Sequence, residues 1–228
     1  MPACQTVGME RRTRGSLSQS EIVTVALEIA EAEGADALTF RRLGKALNVA
    51  PTAVLRHFRD KDDLLLAIGA RLLDEALDEV DESEPDWRTR VLALCRATRR
   101  SYAKHPRVAL LVATRTLRRE AEFRAADLVL GALEQAGLSG REAASVYRAL
   151  VDTVLAWTSF IAAVDATGAD VMERDSLSWS REYLVVPADR FPHIRNVAEH
   201  LAEVDKEDQF DLALHLILDA VAARAARS

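Results

Sequence analysis

The sequence predicts an all-α protein: a small N-terminal head of three helices arranged as a helix-turn-helix, and a larger helical body behind it. Three observations carry this. Apolar residues recur at three- and four-residue spacing along almost the whole chain, as in helices buried on one face. No period-two alternation of useful length interrupts them. Of the 228 residues 49% are hydrophobic but only 5% aromatic, the balance of a helical protein rich in Ala, Leu, Glu and Arg.

The pattern divides the chain into an arm (1–17), a head (18–62) and a body (63–228). The arm has no hydrophobic periodicity and is expected to be flexible. Its Arg11, Arg12 and Arg14 fit either a solvated tail or a basic arm that follows DNA phosphates or enters the minor groove.

Ser18-Gln19-Ser20-Glu21 is a capping box that opens the first helix. Ile22, Val25, Ala26, Ile29 and Ala30 give it one apolar face, and Gly34 ends it. Thr39 can cap the second helix, whose Leu43 and Leu47 share a face. Asn48 tolerates the left-handed conformation that terminates a helix, and Pro51 stands where the third should begin. Leu43, Leu47, Val49, Val54 and Phe58 then pack together, leaving Thr52, Ala53, Leu55, Arg56 and His57 outside. This spacing fits a helix-turn-helix whose second helix can enter a major groove, and equally an ordinary helical hairpin. The outer side and the composition of the preceding helix favour the first: the outer side holds Arg41, Arg42, Lys45, Arg56, His57, Arg59 and Lys61 with only Asp60 against them.

The run from Leu38 to Leu65 resembles the N-terminal domain of the tetracycline-repressor (TetR) family, and the likeness extends over about residues 18 to 66. In that family the turn is usually Gly-Val, the recognition helix ends in Tyr-x-His-Phe, and a Lys opens the next helix. Asn48-Val49, Leu55-Arg56-His57-Phe58 and Lys61 occupy those places. Asn48 departs from Gly, and Leu55 replaces a Tyr that commonly contacts a phosphate. The resemblance implies contacts to double-stranded operator DNA from Thr39, Arg41, Arg42, Pro51, Thr52, Ala53, Leu55, Arg56, His57 and Lys61. It also implies a homodimer formed through the last long helices, and a small-molecule effector.

In the body, Asp60 caps a fourth helix that carries Leu64, Leu65, Ile68, Leu72, Leu73 and Leu77 and runs to about Val80. Asp62 and Asp63 complement the helix dipole in its first turn. The acidic run from Asp74 to Asp86 reads as a solvated end. Further helices are expected near 86–104, 106–116, 119–137, 140–167, 193–203 and 207–225, with His105-Pro106 separating the first two. Residues 168–192 hold Gly168, Pro187 and Pro192 and are expected to be flexible, with a helical turn around Trp179 to Tyr183.

Two of these helices are apolar around most of their circumference and so need cover on two sides. One has the stripe Val146, Leu150, Val154, Trp157, Ile161, Val164 and a second of Ala143, Tyr147, Val151, Leu155, Ala162. The last has Phe210, Leu214, Ile217, Val221 and, opposite, Leu212, Leu216, Ala220. Two such helices per subunit would make a four-helix dimer interface.

Charge supports a DNA-binding head on a body that stands clear of DNA. Residues 1–61 hold nine Lys/Arg against seven Asp/Glu, whereas the remainder holds 21 against 29. Cys4 and Cys95 are the only cysteines and no secretory h-region is present, so a reducing, cytoplasmic location is expected. No apolar run is expected to reach the ~20 residues of a membrane span, and no membrane partner is expected. A Gly-rich phosphate loop, metal-ligand spacing and a nucleophile motif are all missing, so no enzyme activity, catalytic residue, metal or cofactor is assigned. His215 and Asp219, four apart, read as a structural pair. The body is expected to hold a mostly apolar effector between helices. His105, Leu111, Arg115, Phe123, Asp152, Trp157 and Phe160 are the candidate contacts, although plain core packing fits each of them too. The reading is a homodimeric, effector-released repressor of a palindromic operator. The alternative is a helical small-molecule-binding protein or enzyme whose helix-turn-helix is purely structural. Specific binding to duplex DNA separates the two.

Overall fold

Ser18 opens the first helix of the computed structural model, which describes residues 17–167, 169–201, 203–204 and 206–225. Its hydroxyl accepts from the Glu21 amide at 3.1 Å, and the Glu21 carboxylate accepts from the Ser18 amide at 2.9 Å. Helix α1 (Gln19–Glu33) then runs to Gly34, whose φ of 86° suits a residue without a Cβ. A 3-10 turn (Ala35–Ala37) leads to α2 (Phe40–Leu47), and Asn48 ends α2 in the left-handed region at φ 55° and ψ 44°. Helix α3 (Pro51–Val54) is only one turn long. The chain continues the same path to Phe58, whose amide donates to the Val54 carbonyl at 3.2 Å. The turn between α2 and α3 is tight enough to require glycine at Gly44, where a Cβ would lie 2.9 Å from the Val49 carbonyl oxygen.

Helix α4 (Lys61–Leu77) is capped by Asp60, which accepts from the Asp63 amide. The body follows as α5 (Trp87–Ala103), α6 (Pro106–Val112), α7 (Glu120–Gln135), α8 (Gly140–Thr167), α9 (Ala169–Val185), α10 (Pro192–Leu201) and α11 (Lys206–Ala225). All the described regular structure is helical. The basic arm (Arg11, Arg12, Arg14), Cys4 and Gly168 lie outside the described residues.

Two apolar clusters hold the chain, and α4 belongs to both. Its Leu64, Ile68 and Leu72 join Ile22, Leu38, Leu43, Val54 and Phe58 of the head, together with Val108 and Val112 of α6. Its Leu66, Ala70 and Leu77 join the body cluster with α5, α7, α8 and the inner face of α11. Head and body are therefore packed through α4 and α6. A polar clamp reinforces this: the Arg107 guanidinium donates to the Ala32 carbonyl at 2.9 Å, and the Glu31 carboxylate accepts from the Val108 amide at 3.2 Å.

Three sequence expectations change. Within 168–192, expected to be flexible, residues 169–185 form a 17-residue helix. The breakers Gly168 and Pro187 flank that stretch instead of interrupting it, and Trp179 stacks on Tyr183 one turn away at 4.5 Å. Helix α6 stops at Val112 and not near 116. There Arg118 takes φ 56°, and the Glu122 carboxylate accepts from the Leu117 and Arg118 amides. Gly140–Val164 of α8 is, by length and mean hydropathy alone, apolar enough to cross a membrane, contrary to the sequence reading. It carries Arg148 and Asp152 and packs against α5, α6, α7 and α11, but only 28% of it is buried, so the core covers just part of its apolar surface.

Candidate nucleic-acid interface and ligand cavity

The helix-turn-helix sorts its polar residues into two groups. Arg41, Lys45 and Arg56 are exposed and, among the described residues, carry no ion pair. Pro51, Thr52 and Leu55 are exposed beside them on α3 and its extension, with Ala53 half-buried. The second group holds the head together. The Thr39 hydroxyl accepts from the Arg42 amide at 3.1 Å. The Arg42 guanidinium donates to both oxygens of Glu33, the shortest contact being 2.5 Å. This bond keeps the Glu33 carboxyl below its usual range. Lys61 is half-buried and its ammonium donates to the Ala35 carbonyl, while the His57 carbonyl accepts from the Gln19 side chain. Arg59 turns to Asp60 at 2.9 Å. Of the residues singled out in the sequence, Arg41, Thr52 and Arg56 are thus exposed, whereas Thr39, Arg42 and Lys61 are already bonded within the head.

In the body a cavity of about 90 Å³ lies between α5, α7, α8 and the end of α6. Leu94, Thr98 and Tyr102 of α5 face Ala125 and Val129 of α7 across it, with Tyr147, Leu150 and Val154 of α8 closing the third side. Burial in this apolar surrounding pushes the Tyr102 hydroxyl up to about 12, and the neighbouring Cys95 thiol likewise to about 12. The cavity adjoins an open groove of about 570 Å³, the two sharing Arg115, Glu122, Tyr147, Val151 and Leu155.

Arg115 alone of the sequence candidates lines both spaces. Phe123 and Asp152 line the groove only, and Asp152 pairs with Arg148 at 3.3 Å. Leu111 packs on the head cluster. His105 precedes α6 with its Nδ1 buried and without a hydrogen bond among the described residues. Trp157 and Phe160 sit elsewhere, in a ring cluster with Phe210 of α11, at 6.2 and 6.0 Å from the Trp157 ring to its two neighbours. Thr98, Glu122, Tyr102 and Tyr147 were missed. Tyr147 was legible as a residue on an apolar stripe, but nothing in spacing alone distinguishes a cavity wall from a filled core.

The second apolar stripe of α8 is also reassigned: Tyr147, Val151 and Leu155 face the cavity. The outward face of α8 is instead Ala149, Ala156 and Phe160, the last 53% exposed. On α11, Phe210, Leu214, Leu218 and Val221 are buried while Leu212 and Leu216 are 58% and 62% exposed. Arg88 of α5 meets both His215 and Asp219 at 2.9 and 2.6 Å, so these two are joined through a third residue.

Residues 22–68 match the family model for bacterial regulatory proteins of the tetR family, and residues 81–225 match that for the tetracyclin repressor-like C-terminal domain. A transcriptional repressor of the helix-turn-helix type from Mycobacterium tuberculosis is 32% identical over 146 residues, 62% of this chain. The chain spans a little over half, 56%, of the length of that relative. The class A tetracycline repressor from Escherichia coli is 26% identical over 211 residues, covering 91% of this chain and 92% of that one. Among solved structures, apo ActR from Streptomyces coelicolor superposes with a TM-score of 0.79 at 28% identity, over 94% of this chain and 99% of that one. ActR in complex with actinorhodin superposes with a TM-score of 0.77 at 26% identity, over 92% and 98% of the two chains.

Proposed function

The chain belongs to the tetracycline-repressor family of bacterial regulators, and we propose that it is a homodimeric repressor that binds a palindromic operator and is released by a small molecule held in the cavity of its body. One observation carries the reading. Helix α4 begins beside the helix-turn-helix surface of Arg41, Lys45 and Arg56, and it shares apolar clusters with both the head and the cavity-bearing body. A ligand that alters the packing against α4 or α6 changes where the head points. It does so only by the difference in its affinity for the two arrangements.

Arg41 and Arg56 read base edges or phosphates, Thr52 and the backbone around Pro51 approach the phosphates, and Ala53, Leu55 and His57 shape the contact surface. Thr39, Arg42 and Lys61 hold the head in register. The outward faces of α8 and α11, centred on Ala156, Phe160, Leu212 and Leu216, meet the same faces of a second copy about a two-fold axis. Such a dimer doubles the contacts across a palindrome. The effector is largely apolar, in keeping with the cavity wall, and ActR with its bound actinorhodin supports a small-molecule ligand in this fold. Catalysis has no part in this reading, and acting on DNA places the protein in the cytoplasm.

Selection of duplexes from a random pool tests the reading. A palindromic consensus bound by the dimer, and released by a molecule that binds the body, is the expected result. Binding to DNA of every sequence with equal strength would overturn it.

A further inference from the structure

We infer that the cavity, together with the groove that opens from it, takes an apolar molecule bearing one acidic group, and that this group draws Arg115 away from Asp62, so loosening the start of α4. The inference rests on the ligand-responsive reading above and names the chemistry of that ligand. Three observations carry it.

Arg115 lines both the inner cavity and the groove that opens from it. It is the only cationic side chain on the inner wall among the described residues. At present its guanidinium pairs with Asp62 at 2.7 Å, and Asp62 lies in the first turn of α4, two residues beyond the cap of that helix. The segment between α6 and α7 is thereby fastened to the helix that carries the head. A second fastening stands beside it: Arg119 donates to the Asp63 carboxylate at 2.6 Å and to the Asp63 carbonyl at 2.8 Å. Arg119 does not line the cavity, so a ligand reaches the first pair and leaves the second.

The exchange favours the ligand wherever the stronger pairing exceeds the cost of desolvating both charges. Side chains of Arg115 and Asp62 are 36% and 45% exposed, so their pair is screened by water and worth little. The same guanidinium facing an acid inside a largely apolar wall acts through a lower dielectric, and its attraction is correspondingly stronger. Asp62, once released, turns into water at small cost. Glu122 is the carboxylate that opposes an anion here. Its two oxygens accept from the Leu117 and Arg118 amides at 3.2 and 2.8 Å, which ties them to the backbone, but its charge still reaches Tyr102 and Tyr147 and is the cost an anion meets here. Thr98, Tyr102 and Tyr147 also line the space, each carrying a hydroxyl able to donate to an acid.

Fluorescence titration of the full chain with two probes tests this. 8-Anilinonaphthalene-1-sulfonate is a flat apolar anion, and N-phenyl-1-naphthylamine has the same rings without the sulfonate. The wild type should bind the sulfonate more tightly. Arg115→Gln should weaken it about tenfold or more while leaving the neutral amine nearly unchanged, as expected for loss of a charge-assisted hydrogen bond. Asp62→Asn should tighten the sulfonate several-fold, because a competitor for Arg115 has gone. A merely structural salt bridge would give the opposite sign. Amides 61–65 should also exchange faster with the sulfonate bound than with the amine. Equal binding of the two probes, with Arg115→Gln shifting both alike, overturns the acidic ligand but keeps the cavity. If neither probe binds, or if filling the space with Ala125→Trp affects neither, the cavity itself falls and this inference falls with it.

Discussion

Gly69 of α4 lies directly against Leu117: a Cβ built on Gly69 would sit 2.7 Å from the Leu117 Cδ2 and 3.2 Å from the Val112 Cβ. The head-bearing helix and the end of α6 thus meet through a residue that has no side chain.

Gly69→Ala should therefore change ligand binding more than stability. Alanine gains roughly 1 kcal/mol over glycine inside a helix, which offsets part of an overpacking cost of roughly 1–3 kcal/mol. Leu117 presents the far end of a flexible side chain, so it can yield, whereas the β-branched Val112 is stiff. Leu117 lines the cavity, and the room it can move into is the ligand's. The expected result is a melting temperature within a few degrees of wild type and clearly weaker binding of N-phenyl-1-naphthylamine. A loss above about 3 kcal/mol would mean that Leu117 cannot give way.

The head carries the next expectation. Arg41→Ala and Arg56→Ala should each cost about 1–3 kcal/mol of operator affinity if the side chain reads a base, and relax specificity at one position. Arg42→Ala should act differently, because Arg42 is held on Glu33. It should lower the melting temperature of the head slightly and reduce affinity for all sequences alike. Titration against the consensus duplex and single-base variants at fixed salt distinguishes the two patterns.

Much of this site was legible in the sequence because its signals are local. Ser18 with Glu21, Thr39, Asn48, Pro51 and Asp60 each act within a few residues, and each terminus they predicted is present. The engagement of Arg42 with Glu33 and of Lys61 with the Ala35 carbonyl was not legible, since both span loops whose path is set by packing. The cavity was illegible for a related reason. Tyr102, Glu122 and Tyr147 converge from three helices, and helical periodicity says which face is apolar without saying what fills the space before it. On α9 the error ran the other way, since Gly168 and Pro187 were weighed as breakers of a segment they only bound.

Acid should weaken the fold through its helix caps. The Asp60 carboxyl is held below its ordinary range, first by the Asp63 amide and then by Arg59. That of Asp86 is held down by the Thr89 hydroxyl and then its amide. A carboxyl depressed on folding contributes stability above its unfolded value of roughly 3.9, and this is lost as pH falls through the lower folded value. Asparagine caps about as well as aspartate but does not titrate here. The double variant Asp60→Asn, Asp86→Asn should accordingly show a shallower decline in urea-unfolding stability between about pH 5 and pH 2. An unchanged slope would assign the acid sensitivity to other carboxylates.

The proposed dimer rests on which stripe of α11 faces outward, and burial resolves the choice between Leu216 and Ile217. Leu216 is 62% exposed, while Ile217 is partly buried against the body cluster. Glutamate at Leu216 leaves the protomer's own core untouched, since the position has little to lose by meeting water. In the dimer the same carboxylate would be buried against its symmetry mate, and an unpaired buried charge costs roughly several kcal/mol. Leu216→Glu should thus yield monomers with wild-type helicity by circular dichroism and little operator affinity. Ile217→Glu, partly buried against the body cluster, should lower the stability of the protomer as well. Sedimentation of the wild type bears on the whole arrangement: a monomer at micromolar concentration would remove the four-helix interface, and with it the reason for two operator half-sites.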